Sequence, residues 1–149
     1  MKKTMALLFV LAPVVGSAAP VGPLSVYLVE PCRMLDTRGT GQLVAGEVYP
    51  VDSQAGSCGI PYGARALVVN ITATGATGAG HLSALRPWGR VPANPATPTS
   101  ILNYVAGQTV ANAATVRLGN PASGWDETFW LVASAGVNVI IDVTGYVAP

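Results

Sequence analysis

A Ser-His-Asp site in this chain would have to be built on His81, its single histidine, and no Gly-x-Ser-x-Gly segment supplies a nucleophile elbow. Seven carboxylates are enough in principle for a glycosidase pair, but no spacing singles out two of them. His81 opens a strand after the glycine-rich stretch 75–80, a setting in which an imidazole is ordinarily solvated or hydrogen-bonded. Two cysteines and one histidine fall short of a structural zinc site, and there is no Cys-x-x-Cys pair. The expectation is a protein with no catalytic residues, no metal and no cofactor.

Two other groups of residues are suited to bracing or binding. Asp36 and Arg38 occupy alternate positions, so in an extended chain they face the same side, where Arg38 can reach a carboxylate or a carbonyl. The structural reading joins Asp36, Arg38 and Asp142 in a charge network that ties the first strand to the last, because buried charges are paired. The functional alternative is a ligand pocket around the same residues. Trp125, Asp126 and Glu127 lie between Gly124 and a strand holding Trp130. A tryptophan beside two carboxylates can stack on a sugar face or help to hold calcium, and it can equally fold its large area onto a domain edge. Trp88 lies in a proline-rich stretch and is a candidate interface anchor.

The elements that must position these residues are extended. Apolar runs separated by glycine and proline predict strands over Leu24 to Val29, Gly46 to Val51, Ala64 to Thr74 and His81 to Arg86. Further strands are predicted over Ser100 to Val105, Val110 to Leu118, Thr128 to Ala133 and Val137 to Val147. Alternation is clearest where Leu67, Val69, Ile71 and Ala73 share one face, and again where Val139, Ile141 and Val143 do. No window sustains a helical period, and Pro87 to Thr99 reads as a long, stiff crossing loop. The expected fold is all-β: a single β-sandwich or jelly-roll-like domain of about eight short strands. Such strands are too short, and the aromatics too scattered, for an outer-membrane barrel.

The first residues read as a secretion signal. Lys2-Lys3 precede an apolar run from Met5 to Val15, and Gly16-Ser17-Ala18-Ala19 supplies small residues for cleavage after Ala18. The run is short for a bilayer span and is broken by Pro13, so no membrane span is expected after cleavage. The division is therefore 1–18 signal peptide and 19–149 β-sandwich domain. Loss of Lys2 and Lys3 leaves six arginines against seven carboxylates, and no lysine. A net charge so close to zero offers no footprint for nucleic acid. In an exported chain two cysteines read as one disulfide, Cys32 to Cys58.

Several motifs carry a resemblance. Pro31-Cys32-Arg33 with Asp36-Thr37-Arg38 is followed by Cys58-Gly59-Ile60-Pro61, Val69-Asn70-Ile71-Thr72, Ala106 to Asn112, and Ile141-Asp142-Val143-Thr144-Gly145-Tyr146. Together they resemble a β-rich module found, often in tandem, in secreted and surface proteins of bacteria. The resemblance spans nearly all of the chain after the signal and implies an extracellular setting; it brings no defined activity with it. The function expected is that of a secreted structural or adhesive surface module acting by binding or self-assembly, its partner a second copy or a cell-surface glycan or protein. A carbohydrate-binding domain using Trp125, Trp88 and the nearby acids is the alternative, and a hydrolase a remote third.

Overall fold

The computed structural model describes residues 22–91, 99–119 and 127–149. The predicted signal lies outside these residues. Eight strands account for most of them: β1 (Ser25–Asp36), β2 (Val48–Asp52), β3 (Ala66–Thr74) and β4 (Gly80–Leu85) are followed by β5 (Leu102–Tyr104), β6 (Val110–Arg117), β7 (Thr128–Ala133) and β8 (Asn138–Ala148). A short 3-10 turn, Thr37–Gly39, follows β1. Among the described residues no helix is long and apolar enough to cross a membrane.

The strands form two four-stranded antiparallel sheets, ordered β1-β8-β3-β6 and β2-β7-β4-β5. The pairings are nested: β4 with β5, β3 with β6, β2 with β7, and β1 with β8. Such nesting is that of one long hairpin rolled into two layers, which makes the sandwich a jelly roll. Alternation explains how the layers meet. Leu67, Val69, Ile71 and Ala73 of β3 and Val139, Ile141 and Val143 of β8 turn inward and are almost wholly buried. They face Leu82, Phe129, Leu131 and Ala133 of the second sheet in one core cluster. Strand β7 is buried on both faces, because Trp130, Val132, Leu85 and Val48 form a smaller cluster on its outer side.

Strand β1 departs from the sequence expectation. It runs on to Asp36, so the Pro31-to-Asp36 stretch lies inside the strand and does not follow it. Two register shifts, between Leu28 and Cys32 and between Arg33 and Leu35, let the strand continue. They are bulges that take up extra residues without ending the pairing, and Pro31, which has no N–H to donate, falls within the first. The predicted disulfide is present: Cys32 of β1 and Cys58, in the loop after β2, have Cα atoms 5.5 Å apart. It therefore staples the edge strand of the first sheet to a loop leaving the second. Cys58 is itself buried among the core residues.

Candidate functional site

Asp36 ends β1 and caps the turn that follows. Its carboxylate accepts the Arg38 backbone N–H at 3.2 Å, while the Arg38 guanidinium donates through Nε at 2.9 Å and Nη2 at 2.5 Å. Arg33 reaches both acids. It donates to Asp36 at 3.1 Å and to the two oxygens of Asp142 at 2.5 and 3.2 Å. Arg33 stands directly opposite Asp142 in the β1–β8 register, so an unbroken line of alternating charge runs Arg38, Asp36, Arg33, Asp142 across the two strands. Donation from the Arg38 guanidinium, aided by its backbone N–H and by the charges of Arg38 and Arg33, holds the Asp36 carboxyl well below the ordinary carboxylate range.

This arrangement corrects the expectation in two respects. Asp36 and Arg38 do not bond to Asp142 themselves; Arg33, which is no member of the expected network, is the hub. The network also faces water and is not buried: its carboxylates are 27% and 29% exposed and its guanidinium groups more so. The cause is the two-residue period of the strand. Val139, Ile141 and Val143 point into the core, so Asp142 between them must point out. The buried member of the triplet is Thr37. Its hydroxyl accepts the Val139 N–H at 2.8 Å, and its carbonyl accepts the N–H groups of Thr40 and Gly41. A threonine beside two charges gave no signal in the sequence that it, and not they, would be enclosed.

Of the tryptophan and acid candidates, Glu127 and Trp88 fall within the described residues. Trp125 and Asp126 lie outside the described residues. Glu127 is turned inward, with Oε1 accepting the Gly63 N–H at 2.6 Å and its carbonyl accepting the Ser53 N–H. It braces the turn that carries Tyr62, which places its carboxylate behind a surface and not on one. Trp88 is exposed and sets its ring edge-on against Trp130, with centroids 5.3 Å apart. Among the described residues no group of three or more His, Cys, Asp or Glu side chains is placed to hold a metal ion.

The surface that the structure does assemble is at the end of the sandwich where β1 begins and β8 finishes. Tyr27 and Tyr146 are register partners and stack at 5.1 Å. With Tyr62, Arg65 and the C-terminal residues they line a hollow of about 490 Å³. Beside it, among the described residues, β1 has a neighbour on one side only, and its first residues expose apolar side chains to water: Val26 is 62% exposed and Leu28 82%. Only the β1–β8 register brings Tyr27 to Tyr146 across nearly the whole sequence, so spacing along the chain held no sign of this site.

Comparison with protein-family models, with curated proteins and with solved structures found no match.

Proposed function

We propose that this chain is a secreted adhesive module that works by binding and self-association, not by turnover. The observation that carries the reading is the edge of β1. From Ser25 to Leu28 its outward backbone groups have no strand beside them among the described residues, and Val26 and Leu28 stand exposed on the same strand. An unpaired strand edge is a template for a second chain, and lysine is a common residue for blunting one. The mature chain has no lysine, and its near-zero net charge gives little repulsion between copies. Pairing β1 with β1 of a second copy would be isologous and would cover both edges at once.

Light scattering over a range of micromolar concentrations tests this. The wild-type protein is expected to rise above the mass of one chain as concentration increases, and Leu28→Lys to stay at that mass throughout. A wild-type protein held at one-chain mass on concentration would overturn the reading. Glycan binding is the second reading, and the stacked Tyr27 and Tyr146 beside exposed Tyr62 favour it, since tyrosine faces suit sugar rings. A monomer that retains a signal on a glycan array would decide for that alternative.

A further inference from the structure

Three of the six arginines that follow the signal meet at one cavity of about 440 Å³. Arg65 immediately precedes β3, Arg86 immediately follows β4, and Arg117 ends β6, so three separate strand ends converge there. The cavity also has apolar walls, chiefly Leu24, Leu118 and Val147. Among the described residues no carboxylate lines it, and none of the three arginines makes an ion pair. The chain's other well-placed arginines behave differently: Arg33 and Arg38 are both spent on aspartates.

Main-chain bonds fix where Arg65 and Arg117 stand in the fold, and a side-chain bond holds Arg86. The Arg65 N–H donates to the Val147 carbonyl at 2.7 Å, and the Arg65 carbonyl accepts the Leu118 N–H at 3.0 Å. Arg86 Nε donates to the Leu118 carbonyl at 3.2 Å, which ties the end of β4 to the same wall. Arg117 is the register partner of Ala66, next in sequence to Arg65. A guanidinium remains charged at every pH at which the protein is folded and offers a planar fork that matches carboxylate, sulfate or phosphate oxygens. Arg65 and Arg117 stand exposed, so water screens the repulsion within the group, and an anion supplied from outside would have three guanidinium groups to pair with. A purely inorganic anion would leave the apolar walls unused, and a volume of this size is within the range of small-molecule sites.

We infer that the cavity lined by Arg65, Arg86 and Arg117 is a binding site for an organic anion with a short apolar body, the charged head held by the arginines and the body lying on Leu24, Leu118 and Val147. The inference rests on a cavity and a charge cluster, independently of the β1 edge, so Leu28→Lys leaves it intact. Arg86 helps to hold the wall, so Arg65 and Arg117, both exposed, are the residues to change.

The experiment is isothermal titration of the mature protein with octanoate and with octyl sulfate below their micellar concentrations, against octanol and inorganic sulfate as halves of the ligand. Both octyl anions are expected to bind, and each half at least tenfold more weakly. Arg65→Gln and Arg117→Gln should each weaken octyl-anion binding about tenfold at unchanged Tm, while Arg90→Gln, outside the cavity, should not. Octanol binding as tightly as octanoate, unchanged affinity in both cavity variants, or no binding of either octyl anion at millimolar concentration would overturn the proposal.

Discussion

Asp36 and Thr37 are adjacent in sequence, but one faces water in an ion-pair line and the other is fully enclosed beneath it. Their substitutions should therefore differ in kind. Thr37→Val keeps the shape and removes the acceptor of the buried Val139 N–H, and an unsatisfied buried donor costs about 1–3 kcal/mol. Urea denaturation should show that loss at every pH. Asp36 behaves otherwise, because its folded carboxyl titrates below the value of about 3.9 that it has in the unfolded chain. A depressed folded value gives stability that is complete above about pH 5 and fades as pH falls through 4 and below. Asp36→Asn should thus lower stability at neutral pH, flatten the acid limb of the stability curve, and lose its effect in high salt, since exposed pairs are screened. The types of these residues were legible in the sequence; their placement was not. Whether Asp142 faces in or out follows from strand parity, which the flanking Val139, Ile141 and Val143 disclose, but nothing local shows that Arg33 would outreach Arg38.

Among the elements, β3 and β8 were readable because each is a half-buried strand, and a period of two survives when one face alone meets the core. Strand β1 was not, since its two bulges and Pro31 break the period that would have revealed its length. The same strand shows why Gly145 is a glycine. A Cβ there would stand 2.6 Å from the Tyr27 carbonyl oxygen and 3.6 Å from the Leu28 Cα, both of them backbone that cannot rotate aside. Gly145→Ala must therefore push β1 away from β8, at a cost of about 1–3 kcal/mol for overpacking. Amide hydrogen exchange should locate the damage: the N–H groups that pair Ser25–Leu28 with β8 should lose protection, while those of β3 paired to β6 should keep theirs. The Tyr27–Tyr146 stack and the arginine cavity belong to this scale as well. Their members come from strand ends far apart in sequence, so only the order and register of strands could bring them together.

For the whole molecule, the Cys32–Cys58 bridge is a covalent cross-link between the edge of the first sheet and a loop of the second. It closes a loop of 26 residues, which on the chain-entropy model stabilises the fold by about 3–4 kcal/mol. Purified protein should show no reactive thiol even when unfolded without reductant. Replacing both cysteines by alanine should move the denaturation midpoint by an amount of that order; an unchanged midpoint would mean the core alone determines stability. The number of strands and the sandwich class were legible because turn residues divide the apolar runs. The jelly-roll order was not, since nesting of pairs depends on contacts between segments a hundred residues apart.

The bridge also alters how the module would carry tension. Ser25 pairs with Ala148, so the two ends of the sandwich leave it side by side, and a pull on both would open β1 from β8 one rung at a time, as a zipper opens, without shearing all rungs together. Among the described residues β1 has one neighbouring strand and β8 has two, so β1 yields first. Peeling proceeds through Leu28 and stops at Cys32, where force passes through sulfur to Cys58 and by-passes the chain between them. The Asp36 turn and β2 lie in that by-passed segment and bear no load, so a stretched module gives up a few residues of slack while the line of charges beyond Cys32 stays closed.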